Sequence, residues 1–504
     1  MSVPAEKPSI PELPRVARGA GLNFIGAVSR SLLGFAAVFV LARIMSATEL
    51  GLFFLSLNIL MFTAIIGIAG LDAGLRRFVS IAHGHDSAAE AWTYLRTALA
   101  MAAPLNLALV ALLLAGAGVL GDAIFEKSDL TPLIRAFSPY LAFYAAAELL
   151  LAVTQGYKHM KYWVLCLDIF NNALRIILAL FFAALGWTLY GAVSAYVLAI
   201  LAASILAFYY FQKVMPRRPA GAGDYRFREM ASFSLPVSLA RLLNSGTGIV
   251  EIVILGYFAA AADVGVYTVA LKIAAIGSII LASLNTVFAP LISQLYAQER
   301  LKELHELYKA VTRWVFSLSL PVFLVVAWYA SPIAQLFGAE YAAGSTAIVI
   351  LCAGQVVNAV TGPSGNLLLM SGHSLTNLWI NLLGLALTIA LSVILIPRYG
   401  VVGCAAAVAS AMAIVNLVRL IFAGVFMRMH PYDRDYWKPL VAGGIALAIL
   451  AQWGRAPDTG GGLLQLMISV GLGLLIYVAV LFGLGLNRGD RYVLNKVRQR
   501  FLRK

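Results

Sequence analysis

Leu41-Ala42-Arg43-Ile44-Met45-Ser46-Ala47-Thr48-Glu49-Leu50-Gly51-Leu52-Phe53 has a counterpart 214 residues later, Leu255-Gly256-Tyr257-Phe258-Ala259-Ala260-Ala261-Ala262-Asp263-Val264-Gly265-Val266-Tyr267. Both stretches close on an acidic residue, an aliphatic, Gly, an aliphatic and an aromatic. Two further junctions repeat at nearly the same distance. Thr154-Gln155-Gly156 answers to Met370-Ser371-Gly372 at an offset of 216, and Tyr190-Gly191-Ala192 to Val402-Gly403-Cys404 at 212. One such match carries little in a chain this rich in Gly and Ala. Three at a common spacing define an internal repeat.

The repeated unit is a set of membrane spans. Of 504 residues, 61% are apolar and 12% charged, where soluble chains carry about a quarter charged residues. The mean hydropathy is +0.87, and the apolar residues come in blocks of about 20, the length that crosses a bilayer as a helix. Fourteen blocks are expected, near 20–44, 51–71, 96–120, 132–156, 162–185, 189–212, 229–258, 264–290, 311–331, 342–370, 374–396, 400–426, 437–453 and 463–486. The fold class is an all-α polytopic membrane protein of two pseudo-symmetric six-helix bundles with two extra C-terminal helices. Six spans per repeat keep both halves in one orientation, related by an axis along the membrane normal, the plan of a transporter with its path between the halves. The corresponding segments are a tail over 1–19, an N-lobe over 20–212, a linker over 213–228, a C-lobe over 229–426, the added helices within 427–486 and a basic C-tail over 487–504.

Orientation follows from Lys and Arg. The N-tail and the even-numbered links carry Lys7, Arg15, Arg18, Arg76, Arg77, Arg96, Lys158, Lys161, Lys213, Arg217, Arg218, Arg226, Arg228, Arg300, Lys302, Lys309, Arg313, Arg428, Arg434 and Lys438. The odd links hold Arg43, Lys127, Arg135, Arg398 and Arg455. The positive-inside rule puts both termini and the even links in the cytoplasm. Gln298 to Arg313 and the C-tail from Arg491 to Phe501 alternate apolar and charged residues, as helices lying on anionic headgroups do; a solvated connector is the alternative for the first. The net charge of +14 is thus explained by topology, with no nucleic acid as partner. Cys166, Cys352 and Cys404 lie far apart in apolar stretches and form neither a metal spacing nor a disulfide framework. No link is long enough for a catalytic domain, and the chain is expected to be a transporter and not an enzyme.

A charge inside a bilayer costs about 2.5–3.5 kcal/mol on insertion scales and so faces a cavity or a partner. The first span holds Arg30 with Asn23 and Gly26 at helical spacing. The seventh holds Arg241, Asn244, Gly248 and Glu251 on one stripe, and the eighth Lys272. The fourth carries Glu148, the fifth Asp168 and Arg175, and the twelfth Arg419. Asn244 is the repeat mate of Arg30, and Asn58 that of Lys272. No carboxylate stands one turn from Arg30 or Lys272, and surplus cations in a cavity select an anion, a phosphate group above all. Arg30, Arg241, Lys272 and Arg175 are therefore the anion-binding candidates. Asn23, Asn58, Asn244, Gln355, Asn358 and Asn366 are candidates for lining the cavity and binding sugar hydroxyls. Glu148, Asp168 and Glu251 are the candidates for ion coupling. Two alternatives stay open: an Asp168–Arg175 pair two turns apart on one helix, and an Arg419 that snorkels to the cytoplasmic surface. The stretches Asn244-Ser245-Gly246-Thr247-Gly248 and Thr361-Gly362-Pro363-Ser364-Gly365-Asn366 are poor helix formers, as backbone that lines a cavity is.

The chain resembles a polysaccharide-type flippase of the multidrug/oligosaccharidyl-lipid/polysaccharide exporter superfamily. The residues that carry the likeness are Leu41-Ala42-Arg43, Glu49-Leu50-Gly51-Leu52-Phe53, and Gly70-Leu71-Asp72-Ala73-Gly74-Leu75-Arg76-Arg77-Phe78. The likeness spans essentially the whole chain, though a Gly-Pro turn common after the Arg of the first motif is Met45-Ser46-Ala47 here. It implies a bacterial cytoplasmic (inner) membrane protein that turns an undecaprenyl-diphosphate-linked oligosaccharide across the bilayer by alternating access, for O-antigen or exopolysaccharide synthesis, with a polymerase or assembly proteins as partners. Similar lipid II flippases hold the diphosphate with basic residues matching Arg30 and Lys272. No cofactor is implied; H⁺, Na⁺ or the membrane potential would drive the cycle. A cation-coupled multidrug antiporter and a lipid II-type flippase are the alternative readings.

Overall fold

The computed structural model describes residues 13–216, 223–452 and 462–485, with only the backbone described for 13–24, 244, 287 and 462–466. The basic C-tail, read above as a surface helix, lies outside the described residues.

Backbone amides buried in hydrocarbon must bond within their own segment, so apolar blocks become helices. They run α1 Leu13–Ile44, α2 Ala47–Ile68, α3 Leu71–Gly84, α4 Ala88–Gly118, α5 Leu130–Phe137, α6 Pro139–Gly156, α7 Lys161–Trp163, α8 Asn171–Ala184, α9 Leu189–Val214 and α10 Phe227–Phe258. Then follow α11 Ala261–Ala274, α12 Ser278–Ala297, α13 Leu301–Trp328, α14 Ala330–Gln335, α15 Ser345–Thr361, α16 Ser364–Met370, α17 Ser374–Met427, α18 Lys438–Gln452 and α19 Gly462–Gly483. No strand occurs among the described residues. The protein is an all-α, multi-pass membrane protein: among the described residues, nine helical stretches are long and apolar enough to span, and two bent pairs add to them.

Departures from the expected spans have local causes. The second link, left between the expected spans 51–71 and 96–120, begins with α3, a helix whose Leu71, Leu75, Phe78, Val79 and Ala82 form one buried face. The eighth span is broken between α11 and α12, which meet at 54°. The amphipathic run before Arg313 is no separate surface helix; it continues into the ninth span as α13, with Leu304 and Tyr308 buried. Spans eleven and twelve are joined as α17, but Gly400 at φ 52°, ψ −128° breaks it between the two expected helices. The break foreseen in the tenth span is present at Gly362 (φ 60°) between α15 and α16. Tyr436 Oη and Tyr308 Oη donate to the carbonyls of Val360 (2.8 Å) and Thr361 (3.2 Å) there.

The chain forms two compact units. The first comprises the residues up to Ala37, Thr63–Ala115 and Ala136–Leu239. Leu71, Leu75 and Val79 of α3, Leu95 of α4, Val153 of α6, Phe211 of α9 and Met230 of α10 make its core. The second comprises Val38–Phe62, Gly116–Arg135 and the residues from Ala240 on. It contains both copies of the opening repeat, and there α2 crosses α11 with no side chain between the backbones. A Cβ on Gly51 would lie 1.7 Å from the Ala261 carbonyl oxygen, and one on its repeat mate Gly265 would lie 2.1 Å from that of Ala47. Ala47 and Ala261 are themselves repeat mates, so the contact is reciprocal. Glu49 Oε2 accepts from the Ser46 N–H (3.0 Å) and Asp263 Oδ2 from that of Ala260 (3.2 Å), two matching helix caps. In the same unit the half-buried Lys127 ammonium donates to the carbonyls of Gly256 (2.8 Å) and Phe125 (3.1 Å). Burial moves that ammonium below the usual lysine range, against the opposing pull of Glu126 and Asp263.

Candidate functional site

Val164–Phe170, between α7 and α8, is wound as a π-helix, a wide turn often found at functional sites. Asn172 Nδ2 holds it by donating to the carbonyls of Leu167 (2.9 Å) and Asp168 (2.8 Å). Asp168 is buried there, and α1 of the same unit comes directly against it. A Cβ on Gly26 would lie 2.5 Å from Asp168 Oδ2, so a larger residue there would displace the carboxylate. One turn further along α1, Arg30 Nε lies 2.8 Å from Asp168 Oδ1. The pair is asymmetric: the Arg30 side chain is 53% exposed and that of Asp168 2%. Asp168 Oδ2 has no hydrogen-bond partner.

The guanidinium has a second support. Its Cζ sits 5.1 Å from the ring centroid of Trp163, the last residue of α7. Trp163 Nε1 donates to Glu148 Oε2 (3.3 Å), and Tyr144 Oη to Glu148 Oε1 (3.1 Å). Tyr140 stacks on Tyr144 with ring centroids 5.7 Å apart, and Arg175 lies over Tyr196 at 4.8 Å. Buried carboxylates thus stand behind a more accessible layer of cation, indole and phenol. Such a layer can hold an anion at Arg30 while the carboxylates behind fix its direction.

Three candidates from the sequence, Arg30, Asp168 and Glu148, therefore share one network in the first unit. Two readings are corrected. Asp168 pairs with Arg30 from another helix and not with Arg175, whose guanidinium is taken by Tyr196. Arg419 does not snorkel: its Nη2 donates to Asn381 Oδ1 (2.7 Å) and its Nη1 to Asn416 Oδ1 (3.5 Å). Asn416 Nδ2 donates on to Asn358 Oδ1 (3.2 Å), and Asn358 Nδ2 to Gln355 Oε1 (3.3 Å). Gln355 and Asn358 thus belong with Arg419 in the second unit, where amide oxygens on its own helix and on the helix before Gly400 hold the guanidinium.

The second unit also holds the half-buried Arg241 and Asn366, and an exposed Lys272. Asn58 is turned onto its own helix, donating to the Phe54 carbonyl (2.7 Å). Glu251 is buried, its carboxylate faced by the Tyr267 hydroxyl and within the field of Lys272. Cys404 Sγ approaches the Glu251 carbonyl at 3.9 Å. The side chains of Asn23 and Asn244 lie outside the described residues. No cluster of three metal-ligating side chains occurs among the described residues. Trp163 and Tyr144 escaped the sequence reading. The i, i+4 spacing of Tyr144 and Glu148 was legible, whereas nothing local marks Trp163, whose contacts are with other helices.

A family model described as polysaccharide biosynthesis protein matches residues 16–296, more than half of the chain. The chain is a member of this polysaccharide biosynthesis family. The likeness to polysaccharide exporters read from the junction motifs is thereby borne out. A second model, MatE, matches residues 236–394. Among curated relatives, the probable low-salt glycan biosynthesis flippase Agl15 of Haloferax volcanii is 22% identical over 481 residues, covering 92% of each chain. The capsular polysaccharide biosynthesis protein CapF of Staphylococcus aureus is 27% identical over 182 residues, 36% of this chain and 46% of that one. The fold is shared with the lipid II flippase MurJ in an inward closed conformation, with a TM-score of 0.75 at 16% identity over 90% of this chain and 97% of that chain. It is also shared with an inward-facing MATE family multidrug transporter of the MOP superfamily, with a TM-score of 0.67 at 16% identity over 80% and 98%. This family member thus has transporters and flippases for relatives and structural neighbours.

Proposed function

We propose that this protein is a flippase carrying an undecaprenyl-diphosphate-linked oligosaccharide from the cytoplasmic to the outer leaflet of the bacterial inner membrane, for O-antigen or exopolysaccharide synthesis. The observation that carries the reading is Arg30. Its guanidinium, half exposed within a membrane span, is bound along one edge by a buried carboxylate and offers the rest to an anion. Diphosphate is the lipid-linked anion whose charge and oxygen geometry match such a fork. Arg241, Lys272 and Arg175 are further candidates for the diphosphate, and the amides Gln355, Asn358 and Asn366 for the glycan. The carrier works by alternating access, with both termini in the cytoplasm and a polysaccharide polymerase receiving the product. Glu148, Asp168 and Glu251 are the carboxylates available for coupling to H⁺ or Na⁺.

The test is flipping in proteoliposomes of a fluorescent oligosaccharide on undecaprenyl diphosphate. The wild type should flip it, and Arg30→Ala should lose at least tenfold in rate while still reconstituting. Flipping by Arg30→Ala at the wild-type rate would overturn the reading. The MatE match over residues 236–394 and the buried Glu251 favour a second reading, a cation-coupled multidrug antiporter. Efflux of ethidium driven by an ion gradient, with no flipping of the lipid, would establish that reading instead.

A further inference from the structure

An arginine on a membrane helix has a long, flexible side chain, and a half-exposed one without supports would sample many rotamers. Arg30 is supported from two directions. Asp168 engages Nε at 2.8 Å, and the Trp163 ring lies under the guanidinium at 5.1 Å. Trp163 is itself fixed by its Nε1–H on Glu148, and the Glu148 carboxylate is fixed by the Tyr144 hydroxyl.

We infer that Trp163 is a positioning residue for Arg30: its ring carries the guanidinium, its N–H is anchored to Glu148, and α6 thereby sets the direction in which Arg30 meets an anionic group. The inference rests on the proposed diphosphate reading and adds a residue to it. It also gives Glu148 a task that needs no titration. The carboxylate accepts from an indole N–H on one oxygen and from a phenol on the other, and a glutamine in the same place would keep the indole acceptor with its carbonyl while its NH2 donates to the phenol oxygen. The indole is suited to both demands because it presents a π-face to the cation and an N–H at its edge. Phenylalanine keeps the first function and loses the second. Leucine loses both.

The test is a mutant cycle with the full-length protein in detergent, reading the affinity for farnesyl diphosphate by isothermal titration calorimetry. Trp163→Leu should weaken binding by about tenfold, and Trp163→Phe by about threefold. Glu148→Leu should match Trp163→Phe, while Glu148→Gln should stay within about twofold of wild type because its carbonyl still accepts the indole N–H. In an Arg30→Gln background the same Trp163 substitutions should have no further effect, since a positioning residue acts only through the group it positions. Additive losses in that background would overturn the inference, because Trp163 would then act on the ligand or the fold directly. If Trp163→Leu does not purify as a monodisperse protein, the Trp163→Phe and Arg30→Gln cycle makes the same comparison. Wild-type protein that binds farnesyl diphosphate with an additive cycle refutes the positioning alone. Wild-type protein that does not bind it at all refutes the diphosphate reading, and the positioning with it.

Discussion

The Arg30–Asp168 pair joins a side chain in contact with surroundings to one that is sealed off, and its two ends are not equivalent. Removing Arg30 leaves a carboxylate buried without its cation, whereas removing the carboxylate leaves a guanidinium that is already half exposed. Breaking a fully buried pair costs about 3–5 kcal/mol, and the exposure of Arg30 reduces this to about 2 kcal/mol. Arg30→Ala is therefore expected to lower the melting temperature in detergent, Asp168→Asn to change it little, and the double variant to recover most of the loss. Equal losses from the two single variants would show that the asymmetry of burial has no energetic counterpart. Much of this site was legible in the sequence as charge inside apolar blocks: Arg30, Asp168 and Glu148 each stood out against their spans. The pairing was not. Asp168 lies more than a hundred residues from Arg30, and its direction depends on a π-turn that hydropathy does not register. Arg419 was misread for the same reason: Asn416 stands one turn away on its own helix, but the closer acceptor, Asn381 at 2.7 Å, is met only across the break at Gly400, where one helix packs on another.

Helices of this chain meet by apolar faces and, at α2 and α11, by bare backbone, and the second is the less forgiving. At the crossing of α2 and α11, the Cβ of an alanine in place of Gly51 would overlap the Ala261 carbonyl at 1.7 Å. No rotamer relieves a clash with backbone, so the helices must separate and forfeit the packing around them. Gly51→Val and Gly265→Val should each cost more than about 3 kcal/mol and appear as loss of monodisperse protein on size-exclusion chromatography. Survival of either variant at wild-type yield would mean that the crossing opens freely. The broken element at Gly362 makes a milder prediction. Tyr436→Phe leaves the half-buried Val360 carbonyl without its donor, and losing such a bond costs about 1 kcal/mol, readable as a lower unfolding temperature. At this scale the sequence was a good guide wherever a block was apolar and unbroken, and to the break at Thr361–Asn366, where Gly and Pro coincide. It failed at α3. Leu71, Leu75, Phe78, Val79 and Ala82 do repeat with helical spacing, but Asp72, Arg76 and Arg77 kept the segment below the hydropathy of a span. It failed again at the bend between α11 and α12, where Ala275, Ile276 and Gly277 read as ordinary span.

Hydropathy is a local sum, which is why an all-α, multi-pass class could be read from composition alone. Sidedness is a property of the entire chain, because every link must agree with its neighbours. An arginine or lysine beside a span resists transfer across the membrane, and the chain concentrates them on alternate links. The links near His85 and Ser128 should therefore face opposite sides. Both residues are exposed, and the three native cysteines are buried, so a membrane-impermeant maleimide should find little background in the wild type. In intact spheroplasts, Ser128→Cys should be labelled, and His85→Cys only after permeabilisation. The reverse pattern would invert the orientation and place the basic links outside, against the charge rule. Labelling of both sites in sealed cells would mean that the α3–α4 link is reached through the protein, the outcome expected of a path open to the outside. Repeating the experiment with Arg30→Ala separates these cases, since sidedness rests on the summed charge of many links and should survive the loss of one intramembrane arginine.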